Sequence, residues 1–99
     1  MTSRRGPVTR PDGNIFRDLG FSPAEAENLR IRSELLTALQ QVVHAHPTQA
    51  MAAERLGVTQ PRVSDIVRGK IELFSVDSLI ELLGRAHIRV EVHIAPSAA

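Results

Sequence analysis

Apolar residues in the first half of the chain recur every three or four positions. Leu29, Leu36, Leu39 and Val43 fall on one stripe, with Leu35 and Val42 beside them. That period belongs to an amphipathic helix. Its start is written in Ser22-Pro23-Ala24-Glu25. Ser22 can cap, Pro23 sits where its missing N–H does no harm, and Glu25 completes a capping box. Arg30 and Glu34 are four apart and can pair on the outer face. Pro47 ends the run, because the residue before a proline avoids helical geometry. The pattern therefore predicts one long helix over 23–45.

Shorter elements follow. Thr48 can cap a second helix over 48–56, and Gly57-Val58 reads as a tight turn. Thr59 can cap a third helix from Gln60 to Val67 or Arg68, which Gly69 stops. Positions 70–74 read as a loop. Ser75 can cap a fourth helix from Val76 to about Ala86, with Phe74 and Leu79 spaced as a hydrophobic staple. At 87–94 the period changes to two: Ile88, Val90, Val92 and Ile94 alternate with Arg89, Glu91 and His93. That is the pattern of a half-buried β-strand. A lone strand leaves a row of backbone groups unpaired. The simplest partner is the same strand of a second copy, which makes Ile88, Val90, Val92 and Ile94 the expected dimerisation residues. An antiparallel register centred on Val90 would set Arg89 opposite Glu91 of the other copy. The expected class is mainly α, with one C-terminal strand pairing across a homodimer.

Length and composition narrow the function. With 99 residues the chain fits one domain and has little room for a deep catalytic cleft. It contains no cysteine, so it has no disulfide framework or thiolate metal site. No apolar run approaches the length of a membrane span, and a cytoplasmic protein is expected. The formal net charge of +1 is nearly neutral, so any affinity for a polyanion must come from where the cations sit. Arg4, Arg5 and Arg10 lie among Gly and Pro in residues 1–14, which read as a flexible basic arm. Residues 15–94 form the domain and 95–99 a tail. The segment 15–21 carries Phe16 and Phe21. It either folds back onto the core or belongs to a partner-binding face.

No Ser/His/Asp arrangement, glycine-rich phosphate loop or pair of catalytic carboxylates is present, so the chain is not read as an enzyme. His44 and His46 read as a pair at a helix end, with neither a metal nor a cofactor expected.

The stretch 48–69 carries the function. Two short helices meet across a tight turn, with small Ala53 at their crossing, Gly57 in the turn, and apolar Val58, Val63 and Ile66 clamping them. This is the helix-turn-helix arrangement. It resembles the Cro-type phage-repressor (XRE) class of regulators. From Asn14 to Ile94 the order of motifs is also similar to small HigA-like antitoxins. The resemblance implies a dimeric repressor of its own operator that also neutralises a RelE/HigB-like ribonuclease toxin. A stand-alone dimeric regulator without a toxin is the alternative. The chain departs from the family pattern in three places. Met51 replaces the polar partner of a capping box, Pro47 replaces an apolar residue, and His87 stands where glycine is expected after the fourth helix, while Gly84 lies inside it.

With Val63 and Ile66 turned inward, the third helix would present its other residues to the major groove of an inverted-repeat operator. Gln60 suits an adenine edge and Arg62 a guanine edge. Pro61 and the Thr59 methyl suit thymine methyls. Asp65, with Ser64 beside it, could accept from cytosine or hold Arg62. Gln49 opens the second helix and suits a phosphate, as do Arg68 and Lys70 at the far end.

Overall fold

The computed structural model describes residues 14–96. It is built from α1 (Ile15–Asp18), α2 (Pro23–His44), α3 (Gln49–Leu56), α4 (Gln60–Val67), a 3-10 turn at Ile71–Leu73, and α5 (Val76–Arg85). Each helix start obeys the local rule its sequence carries. Ser22 and Glu25 form a complete capping box at the head of α2. The Thr48, Thr59 and Ser75 side chains accept the backbone N–H groups of Met51, Arg62 and Ser78. Thr48 caps α3 alone, because Met51 has no group to return the bond. At α5 the box is closed by a serine: the Ser75 backbone N–H donates to the Ser78 hydroxyl.

α2 runs unbroken through Ile31 and is the axis on which the other helices pack. Leu35, Leu36, Leu39 and Val43 face inward. They meet Ala52, Ala53 and Leu56 of α3, Val63 and Ile66 of α4, and Leu79, Leu82 and Leu83 of α5. Phe74, at 2% exposure, closes this core beside α5. Val58 packs on it from the turn between α3 and α4.

Three sequence expectations change. Asn14, expected in the loose arm, is buried: its carboxamide oxygen accepts from the Phe16 N–H and caps α1. A buried amide side chain is held by such a bond, so Asn14 packs with the described domain. The rest of the arm, with Arg4, Arg5 and Arg10, lies outside the described residues, as do 97–99 of the tail. Segment 15–21, for which two places were open, folds back as the single turn α1 against α2. The second change is at positions 70–74, read as a loop, which contain the 3-10 turn.

The third change is the strand. Among the described residues there is none, and 88–94 carries no regular structure. A strand exists only against a neighbour that accepts its ladder of hydrogen bonds. The described residues offer it no free edge. Beyond Ile88 no backbone group makes a backbone hydrogen bond to another described residue. Val90 packs on the core, whereas Val92 and Ile94 are 76% and 89% exposed.

α5 ends in a Schellman motif: the His87 N–H donates to the Gly84 carbonyl, and the Ile88 N–H to that of Leu83. His87 occupies the glycine position of this motif and adopts φ 63°. A side chain there costs about 1 kcal/mol against Cβ crowding. Conversely, Gly84 lies within α5, and a Cβ at that position would meet no atom within 4 Å. We expect His87→Gly and Gly84→Ala each to stabilise the fold by about 1 kcal/mol. Thermal melts of the two variants check this, and an unchanged midpoint in both would show that neither backbone position carries the cost.

Candidate nucleic-acid interface

α3 and α4 cross where Ala53, 5% exposed, allows close approach. Gly57 makes the turn at φ 69°, and the Val58 N–H returns to the Ala53 carbonyl. Neither helix has an acidic residue in its first turn. The partial positive charge of each N-terminus is therefore left unneutralised, which favours an anion such as phosphate.

Gln49 stands exposed as the first residue of α3. Gln60 and Pro61 stand exposed as the first two of α4. The Thr59 hydroxyl is occupied by its cap on the Arg62 N–H at 3.4 Å. Ser64 and Asp65 are half-buried, and Asp65 makes no ion pair among the described residues. Arg68 is exposed at the C-cap of α4, and Lys70 is half-buried just beyond. Arg62 is half-buried and is not paired with Asp65. Its guanidinium carbon lies 4.0 Å from the centroid of the Phe74 ring, and Nη1 donates to the Leu73 carbonyl at 3.1 Å.

Three other long side chains hold the frame, and sequence reasoning missed all of them. Gln40 of α2 donates from Nε2 to the Ile66 and Val67 carbonyls, at 2.9 and 3.4 Å, and so caps the end of α4. Gly69, at φ 69°, lets the Lys70 N–H fold back onto the Asp65 carbonyl at the same end. Arg85 of α5 donates to the Leu56 carbonyl at 3.0 Å and closes α3. Arg32 of α2 donates to the Ile71 and Phe74 carbonyls, each at 3.3 Å. The bonds from Gln40 and Arg85 satisfy C-terminal carbonyls that a helix cannot satisfy itself. A polar Gln40 directly beside the Leu36, Leu39 and Val43 stripe was the one available signal. It marks a polar group on the core-facing side of α2, but not its partner.

His46 turns back, with Nδ1 2.9 Å from the Val42 carbonyl at the end of α2. Among the described residues no three His, Asp or Glu side chains gather at metal-binding distance. No described helix is long and apolar enough to cross a membrane.

The geometry is that of a DNA-binding helix-turn-helix protein. A profile of the helix-turn-helix domain family matches residues 15–95. A solved structure assigned to the XRE family of transcriptional regulators is similar at 39% identity and a TM-score of 0.66. The match covers 75% of this chain and 84% of that one. A comparison with curated proteins returned no match. The chain belongs to the XRE-type helix-turn-helix family, whose members are DNA-binding transcriptional regulators.

Proposed function

We propose that the protein is a dimeric repressor that reads an inverted-repeat operator with the first turn of α4. The observation that carries this reading is the exposure of Gln60 and Pro61 at the head of a helix braced from behind by Gln40. Gln60 and Arg62 read base edges, with Pro61, Thr59, Ser64 and Asp65 shaping the surface around them. Gln49, Arg68 and Lys70 hold phosphates. Arg62→Ala is expected to cost about 1–3 kcal/mol of operator binding and to relax preference at one base pair. Gln49→Ala should instead weaken all duplexes alike. Gel shifts on cognate and scrambled duplexes separate the two, and wild-type behaviour of both variants would remove α4 from the groove.

The second copy joins through 88–94. The support is a run of backbone groups without backbone partners, next to apolar Ile88, Val92 and Ile94, of which Val92 and Ile94 are the most exposed. Arg89 and Glu91 already pair within the chain at 2.7 Å, so the register centred on Val90 would exchange this contact for one across the two-fold axis. Dimerisation would set two α4 helices about one helical turn of DNA apart, roughly 34 Å. Val90→Pro deletes a ladder donor and should shift the protein toward monomer in sedimentation. A monomeric wild type at micromolar concentration would rule the dimer out.

Within this reading the repressor also serves as the antitoxin of a RelE/HigB-like ribonuclease. Its toxin face is α1 and the adjoining side of α2. Leu19 and Phe21 are 67% and 45% exposed there, and Phe21 meets Phe16 edge to face at 6.3 Å. Aromatic anchors of this kind often dominate a protein interface. Co-expression with the neighbouring reading frame followed by co-purification tests it. No co-purifying protein would leave the stand-alone regulator.

A further inference from the structure

We propose that Phe74 is a positioning residue for DNA recognition. Its buried ring presets the Arg62 guanidinium as a two-pronged donor for a bidentate acceptor on DNA. The inference rests on the assignment of Arg62 to DNA contact.

An arginine on a helix surface ordinarily samples many rotamers, and ordering it on binding costs entropy. Arg62 already has a seat in the free protein. The ring of Phe74 lies under its guanidinium at 4.0 Å, and the Leu73 carbonyl takes Nη1 at 3.1 Å. The seat itself is rigid. Phe74 is 2% exposed within the core, and Arg32 donates to the Ile71 and Phe74 carbonyls of the same turn. α2 and α4 thus pin the same turn through two arginines.

A guanidinium carries five N–H donors in one plane. Leu73 uses one on Nη1, and Nε and Nη2 make no hydrogen bond to another described residue. Their N–H groups lie side by side along one edge. That edge matches two adjacent acceptors, either guanine O6 and N7 or two phosphate oxygens. The contact with the Phe74 face holds the fork without consuming this edge. A lysine at 62 would have neither the plane nor the fork.

The test uses the full chain and a duplex that the wild-type protein selects from a randomised pool. Affinities are measured for Arg62→Ala, Arg62→Lys, Phe74→Leu and the double variant Phe74→Leu/Arg62→Ala. Each measurement is made at a temperature where circular dichroism shows the variant folded, with Phe74→Met in place of Phe74→Leu should the latter not fold. Arg62→Ala is expected to weaken binding about tenfold or more, and Arg62→Lys nearly as much. Phe74→Leu should weaken it roughly three- to tenfold. The double variant should bind like Arg62→Ala alone, since the effect of Phe74 passes through Arg62.

In the free wild-type protein the Arg62 side-chain protons should be shifted upfield by the ring, and Phe74→Leu should abolish that shift. Independent, multiplying losses in the double variant would overturn the proposal. So would wild-type affinity in Phe74→Leu after the ring shift has gone. Wild-type affinity in Arg62→Ala would instead withdraw Arg62 from DNA, and selection of no duplex at all would overturn the DNA-binding reading itself. Loss of preference at one base pair identifies guanine as the acceptor, and uniform loss on all duplexes identifies phosphate.

Discussion

Leu39→Ala is expected to remove about 2–5 kcal/mol of unfolding free energy, because it opens a cavity where the helices converge. Leu39 is fully buried in the C-terminal third of α2, in the same cluster as Leu56, Ile66 and Leu83. For a domain of this size the melting midpoint should fall by roughly 10 °C or more. Ile31, 36% exposed on the same helix, supplies the contrast. Ile31→Ala should change stability by under about 1 kcal/mol. Thermal unfolding of both variants checks the pair. Equal losses would mean that α2 is not the axis of the core.

Ala53→Leu should damage function more than folding. The added atoms must fit between α3 and α4, where Ala53 is 5% exposed beside the Val58 N–H that returns to its carbonyl. Overpacking of this kind costs about 1–3 kcal/mol. The strain can be relieved by moving α4 away from α3, which displaces the whole reading surface relative to Gln49. Selective DNA binding is therefore expected to fall at least about tenfold at temperatures where the variant remains folded, since docking tolerates little misplacement. Ala50→Leu, exposed on the same helix, should leave stability within about 0.5 kcal/mol. If Ala53→Leu retained wild-type selectivity, the angle between the two helices would not matter for reading DNA.

These two variants probe different consequences of one arrangement. α2 supplies the apolar axis, and its polar residues Gln40 and Arg32 reach across it to carbonyls at the end of α4 and around the 3-10 turn. The groups that brace the end of α4 and the 3-10 turn therefore lie on a different helix, α2. A mutation on α2 that spares every buried leucine can still loosen the end of α4.

Much of this was legible in the sequence because it depends on neighbours within a few residues. Ser22, Thr48, Thr59 and Ser75 all cap where their spacing predicts, since a cap reaches only two or three residues ahead. Gly57 and Gly69 take positive φ where a turn and a helix stop were read. The 3.6-residue stripe of α2 identified Leu35, Leu36, Leu39 and Val43 as core before any partner was known. His87, noted as a residue in a glycine position, does adopt the left-handed conformation of that position.

What only the tertiary structure decided involves partners far apart in the chain. Arg85 closes a helix 28 or 29 residues away, and Gln40 one 26 or 27 away. Local spacing contains no information about which carbonyl a long polar side chain will meet. The seat of Arg62 on Phe74 depends on where the 3-10 turn lands against α4, so Asp65, three residues away, was the wrong neighbour to suspect. The alternating segment 88–94 marks the opposite limit. Its sequence determines an apolar row, but strand formation requires a second edge, which the described residues do not provide.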